Sequence, residues 1–170
     1  MKRIAPVLLA LSLSLLVTGC GFTLRGSQAL PESLSEVYVM SPIAHAPLSR
    51  ALKRRFDLHK VKEAATPEGE STVVIQLAPE SLERRLLSVF PTGQVAEYEL
   101  IYGVRYQVLF PGKGPVEAFF EVERDYQDDP DQVLAKTREL ELVLKEMRLE
   151  AADRIIRRLP SQFATAVREE

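Results

Sequence analysis

The sequence predicts an α+β domain: a two-layer sandwich in which about four strands of a mixed sheet carry two helices on one face, in the order β-α-β-β-β-α. Three observations carry this expectation. Residues 97–110 alternate polar and apolar at every second position. Asp129-Pro130-Asp131-Gln132 opens a long segment with helical apolar spacing. Pro- and Gly-bearing punctuation at residues 91–93 and 111–115 cuts the chain between into strand-sized runs. A length of 170 residues suits one domain. With 46% hydrophobic residues and a net charge of only −2, the composition excludes a disordered chain. A pI near 5.8 and the lack of a long basic run argue against a nucleic-acid partner.

The N-terminus is read first because it is set apart. Lys2 and Arg3 precede an apolar run at residues 7–17. This is the layout of a secretory leader, and at about 11 residues it falls short of the roughly 20 that span a bilayer. Residues 1–19 are therefore expected to be a signal peptide, and residues 20–170 one domain. Within it, residues 20–34 are an anchor-proximal segment. Cys20, the sole cysteine, directly follows Val17-Thr18-Gly19. That resembles a bacterial lipobox, in which the cysteine is acylated and becomes the first residue. Several acyl chains give stable anchoring where one gives only marginal binding. Gly21 rather than Asp follows, which in that lipoprotein class favours the outer membrane over the inner.

Residues 35–41 are β-branched and aromatic and stop at Pro42, as a first strand would. Residues 46–58 place Pro47 near a helix start and Leu48, Ala51, Leu52 and Phe56 near one face. Arg50, Lys53, Arg54 and Arg55 crowd the remainder, as a solvated face or as an anionic contact. Residues 62–71 read as a loop. Val73-Val74-Ile75-Gln76-Leu77 begins a strand that continues, with a break at Pro79, to Phe90. The next run places Tyr98, Leu100, Tyr102, Val104, Tyr106, Val108 and Phe110 on one face. Sixteen residues would span about 54 Å, so a bulge or bend is expected near Gly103. Val116, Ala118, Phe120, Val122 and Tyr126 alternate again. The last three strands form an antiparallel meander. The first connects through its helix to the second either in parallel or by skipping a strand.

The final helix is expected from an Asp129 cap with Pro130 at its first position to about Leu159, with Pro160 closing it and residues 161–170 as a frayed tail. Val133, Leu140, Leu144, Met147, Ala151 and Ile155 make its sheet-facing stripe.

Catalytic parts are missing. His45 and His59 have no metal-ligand spacing, and no nucleophile elbow or phosphate loop is present. Neither an enzyme nor a cofactor is expected. The acidic group Asp125, Asp128, Asp129 and Asp131 is explained by strand-end and helix-cap roles. What remains is surface. Leu142, Leu149 and Ile156, seven residues apart, form a second apolar stripe, covered either by the short helix or by a partner. Phe90 near a hairpin tip and Phe119 on an outward strand face join this candidate interface. Arg84, Arg85 and Lys136 are candidate phosphate ligands, with solvated surface charge as the other reading.

Taken in order, these residues resemble the LPS-assembly lipoprotein LptE family. The resemblance runs through Cys20-Gly21-Phe22-Thr23-Leu24-Arg25, Pro47-Leu48-Ser49-Arg50, Ser88-Val89-Phe90 and Gly93-Gln94-Val95-Ala96-Glu97-Tyr98. It closes with Leu134-Ala135-Lys136, Lys145-Glu146-Met147 and Ile156-Arg157-Arg158-Leu159-Pro160. It implies two helices against a small sheet in a lipid-anchored protein of the cell outer membrane. It also implies a place as a plug within the LptD β-barrel, help in assembling that barrel, and binding of lipopolysaccharide on its way to the outer leaflet. Lys136 matches a helix lysine associated with ligand binding in the family. The position of the family's other associated basic residue is Pro91 here. A structural or pilotin-like lipoprotein of another envelope machine is the competing reading, and it needs no lipopolysaccharide binding.

Overall fold

Alternation over residues 97–110 builds the centre of the molecule. In the computed structural model, which describes residues 36–168, this run is strand β5 (Val95–Leu109), counted after β1 (Glu36–Met40), β2 (Lys62–Glu63), β3 (Val73–Leu77) and β4 (Ser81–Val89). Leu100, Tyr102, Val104, Tyr106 and Val108 are all at most 2% exposed, because every second side chain of a strand reaches the same face. Strand β6 (Pro115–Gln127) pairs antiparallel with β5 from Glu97↔Gln127 to Leu109↔Pro115 without a register shift. Gly112, at φ 70°, supplies the left-handed residue of their turn.

The other edge of β5 is divided. Its first half pairs with β4 and its last residues with β3, both antiparallel. The run from Val73 to Phe90 is thus two strands, separated at Ala78-Pro79-Glu80. Pro79 has no N–H to give a ladder, and the Ala78 N–H makes the last link, to the Arg105 carbonyl at 2.9 Å. The bulge expected near Gly103 is instead in β4, around Leu86 and Ser88. Gly103 is where β4 first closes on β5: a Cβ there would lie 2.4 Å from Ser81 Oγ, which donates to the Gly103 carbonyl at 3.3 Å.

Strand β1 lies parallel beside β3, so the first crossover joins neighbours and skips nothing. The sheet order is β2-β1-β3-β5-β4, with β6 on the far edge of β5. Six strands replace the expected four. Lys62–Glu63, read as loop, is too short to show a period, and Pro79 splits one run into two.

Helix α1 (Pro47–Leu58) buries Leu48, Ser49, Leu52 and Phe56, with Pro47 in its first turn as predicted. Helix α2 (Val133–Arg168) is 36 residues, roughly 54 Å long at 1.5 Å per residue. It starts later than the Asp129 cap implied. Asp129 Oδ1 accepts the Asp131 N–H at 3.0 Å in a separate turn, and Val133 is 63% exposed rather than facing the sheet. It also ends later. The helix runs through Pro160, so residues 161–168 are not a frayed tail. Phe163 packs edge-on against Phe110 at 5.3 Å, Ala166 is buried, and Gln162 Nε2 donates to the Tyr106 hydroxyl at 3.1 Å. Tertiary packing outweighs the missing proline donor. Met147, Ala151, Ala152, Ile155, Ile156 and Leu159 complete the layer over β5 and β6, and Arg55 pairs with Asp153 at 2.9 Å to tie the helices.

Candidate functional site

Tyr126, near the end of β6, stands on the helix-covered face opposite Tyr98. Its hydroxyl donates to the Lys136 carbonyl at 2.6 Å. The Lys136 ammonium lies 5.6 Å over the same ring and donates to Glu139 Oε2 at 2.9 Å. That hydrogen bond is the main reason the amine's pKa is raised above its ordinary value, so Lys136 is a fixed cation at physiological pH. Burial, followed by Asp128 and Glu139, holds the Tyr126 phenol above its usual range.

Lys136 opens onto a cleft of about 480 Å³ whose walls include Ser88, Phe90, Glu97, Asp128 and Asp129. Two residues singled out separately in the sequence, Lys136 and Phe90, therefore share one site. The cleft mixes charges. Glu97 accepts from Ser88 Oγ at 2.8 Å, Asp128 Oδ1 accepts the Asp129 N–H at 2.9 Å, and Asp129 Oδ2 accepts from Gln132 Nε2 at 2.7 Å.

The two arginines part company. Arg84 is in register with buried Leu100, and Arg85 with Glu99 on the opposite face. Arg84 thus shares the face of Tyr126 and contributes to its electrostatic environment. Arg85 forms an ion pair with Glu99 that raises its pKa and leaves it turned away from Lys136. Alternation of side chains along a strand makes this separation unavoidable for adjacent residues.

The apolar row on α2 is also divided. Leu142 is 60% exposed, but Ile156 is 4% exposed and belongs to the core of the domain. Leu149 lines the groove between the helices beside Pro47 and Ala51. Ile156 is accordingly withdrawn from the exposed row: at that level α1 and the sheet both close on α2, so opposite sides of the helix are covered. Phe119 is half exposed under Arg105, as its outward register predicted. The sequence reading missed a broader apolar surface: Leu82, Leu86, Leu87 and Val89 on β4, with Phe90 beyond it and Leu134 on α2, are all exposed. The signal was present: Leu82 and Leu86 share one face of β4 while Ser81, Glu83 and Arg85 share the other, and Leu87 adds a further apolar side chain at the bulge.

Among the described residues, no group of His, Cys, Asp and Glu is poised for a metal ion, and no helix is long and apolar enough to cross a membrane. Cys20 lies outside the described residues, as do the expected signal peptide and the anchor-proximal segment.

Residues 34–159 match the family LptE, lipopolysaccharide-assembly. The chain belongs to the LptE family. Among its relatives, the LPS-assembly lipoprotein LptE of Yersinia enterocolitica is 34% identical over 154 residues, 90% of this chain and 74% of that protein. That of Pectobacterium atrosepticum is 34% identical, over 89% of this chain and 83% of its own. The crystal structure of the rare lipoprotein B from Shewanella oneidensis superposes with a TM-score of 0.69 at 42% identity, covering 76% of this chain and 97% of that one. The solution structure of lipoprotein B from Nitrosomonas europaea gives 0.67 at 28%, covering 88% and 97%. The two-helix, curled mixed-sheet architecture is thus that of solved LptE-like lipoproteins. As these names imply, members of the LptE family are assembly lipoproteins and not enzymes. The family match spans β1 to Leu159 of α2, and so includes Arg84, Phe90, Lys136, Leu142 and Leu149.

Proposed function

We propose that this chain is an outer-membrane lipoprotein, acylated at Cys20, that sits within an LptD β-barrel as its plug and binds lipopolysaccharide during delivery to the outer leaflet. The observation that carries the ligand reading is Lys136. Its ammonium is fixed over Tyr126 at 5.6 Å, opens on the Phe90 cleft, and has Arg84 on the same face. Amine and guanidinium are suited to the phosphates of a glycolipid head, and the cleft's carboxylates to its hydroxyls. Arg85, committed to Glu99, is better suited to fixing β4 on β5 than to holding ligand. The partner reading draws on the family and on the exposed apolar residues of β4, Phe90 and Leu142, since exposed apolar side chains gathered together mark an interaction surface.

The test is lipopolysaccharide binding by the full chain and its Lys136→Glu variant, together with co-purification from solubilised outer membrane. The variant is expected to lose most of its binding at unchanged circular dichroism, while the wild type brings down a large β-barrel protein in equal stoichiometry. Unchanged binding would remove Lys136 from the site. A barrel partner without any lipopolysaccharide affinity would leave the chain a purely structural lipoprotein. Intact mass spectrometry showing an unmodified Cys20 would overturn the anchor.

A further inference from the structure

On the other side of α2 lies a second charged site. Lys145 is nine residues beyond Lys136, about 14 Å along the helix and half a turn around it. There α1 and α2 enclose a groove of about 310 Å³, walled by Arg50 and Arg54 from α1, Lys145 and Arg148 from α2, and the apolar surfaces of Ala51 and Leu149. Arg50 and Arg54 are one helical turn apart and repel each other. Arg148 is paired with Glu80 at 3.1 Å. The second oxygen of Glu80 accepts the Leu48 N–H at 2.9 Å, so this carboxylate is fully engaged. Beyond backbone bonds such as Arg50 N–H to the Ala46 carbonyl, the side chains of Arg50, Arg54 and Lys145 form no ion pair or hydrogen bond among the described residues. Three uncompensated cations thus converge on one concave surface of a chain whose net charge is −2.

A second cavity of about 230 Å³ adjoins the groove and shares Pro47 and Arg148 with it. Its walls are chiefly apolar, from Pro42, Ile43, Leu77 and Pro79, and Ile43 is 62% exposed at its mouth. The two together form an amphipathic site, cationic at one end and apolar at the other. By sequence, the segment just before the described residues brings no net negative charge. Residues 20–35 contain one Arg and one Glu.

We propose that the interhelical groove binds the phosphate of an anionic amphiphile, held by Arg50, Arg54 and Lys145, with an acyl chain in the adjoining apolar cavity. Guanidinium forks bind phosphate oxygens bidentately, and a lysine adds a point charge from the facing helix. An acidic peptide would satisfy the cations but leave the apolar cavity unused. The site is independent of Lys136 and stands whether or not that residue binds lipopolysaccharide.

The experiment uses the full chain in non-ionic detergent, titrated with phosphatidic acid, with phosphatidylcholine, with inorganic phosphate and with an oligoglutamate peptide. Saturable binding of phosphatidic acid is expected, at least tenfold tighter than each of the other three. The Arg50→Gln/Arg54→Gln variant is expected to lose tenfold or more of that affinity. Ile43→Ser is expected to weaken the lipid but not inorganic phosphate. Ile43, Arg50 and Arg54 are exposed, and thermal melting of each variant checks that folding is intact; Lys145→Gln supplies a second charge removal from the other helix. Equal binding of phosphatidylcholine, or full affinity in both charge variants, would overturn the phosphate site. Inorganic phosphate or oligoglutamate binding as tightly as the lipid would overturn the amphiphile.

Discussion

The Tyr126 phenol and the Lys136 main chain are joined by a 2.6 Å hydrogen bond, while the ring of the same tyrosine lies 5.6 Å under the lysine ammonium. One side chain at the end of a strand therefore fixes both the backbone and the charge of the first turn of α2. Replacing Tyr126 by Phe separates these two effects. The ring and its attraction for the cation remain, and the hydrogen bond, worth about 1 kcal/mol, is lost. Thermal melting is expected to fall by about 3 °C, with lipopolysaccharide binding largely retained. Tyr126→Ala is expected to lose both. Equal loss of binding in the two variants would mean that the ring does not hold the amine.

The sheet's buried tyrosines set an alkaline limit. Burial is the largest cause that raises the pKa of Tyr102, Tyr106 and Tyr126 above their ordinary value of 10.0. Below that value the phenols are neutral whether the chain is folded or not, and stability does not depend on them. Above it the unfolded chain releases protons that the folded chain retains, so stability falls as pH rises. Denaturant titrations between pH 9 and 11.5 should show this decline, and Tyr102→Phe should flatten it. The Tyr102 hydroxyl is buried beside Glu80 and Arg148 but makes no hydrogen bond of normal geometry among the described residues, so its removal is expected to leave neutral-pH stability unchanged or higher. A drop of more than about 1 kcal/mol at pH 7 would mean that the hydroxyl is satisfied.

Legibility in the sequence followed periodicity. The aromatic face of β5 was read correctly, because seven apolar residues at period two allow no other pairing of faces. The Pro47 start of α1 was read for a similar reason: a proline before an amphipathic run marks a helix entrance. Strand β2 could not be read, since two residues have no period. The end of α2 was misplaced because Pro160 is a strong local stop signal, and only contacts distant in sequence, to Phe110 and Tyr106, override it. The site was half legible. Lys136 and Phe90 each stood out, but their meeting depends on β4 returning beside β5 to the level where α2 begins. Arg84 and Arg85 looked equivalent as neighbours; strand alternation gives them opposite faces, and Glu99 claims one of them.

Leu142 and Ile156 separate surface from core within a single helix. Leu142 is 60% exposed and Ile156 is 4% exposed. Leu142→Ser is expected to change stability by less than about 0.5 kcal/mol, while Ile156→Ala is expected to cost about 2–5 kcal/mol through the cavity it leaves. Chemical denaturation measures both. In the barrel co-purification, Leu142→Ser should reduce recovery of the partner from a fully folded domain. Full recovery would place Leu142 outside the interface.

The last turns of α2 give the sharpest stability test. Pro160 has no N–H for the Ile156 carbonyl and its ring crowds that turn, so local energetics favour ending the helix there. The eight residues beyond it stay helical through Phe163 on Phe110, Gln162 on Tyr106 and the burial of Ala166. Because Phe163 is only partly buried, Phe163→Ala is expected to cost about 2 kcal/mol, less than a fully buried phenylalanine. It should also lower helical ellipticity, since residues 161–168 lose their main support while helix nucleation beyond a proline is unfavourable. Pro160→Ala in the same background should restore ellipticity by returning the missing donor. If Phe163→Ala left both melting and ellipticity unchanged, the segment would be holding its helix without the sheet, and packing would not be what carries α2 past its proline.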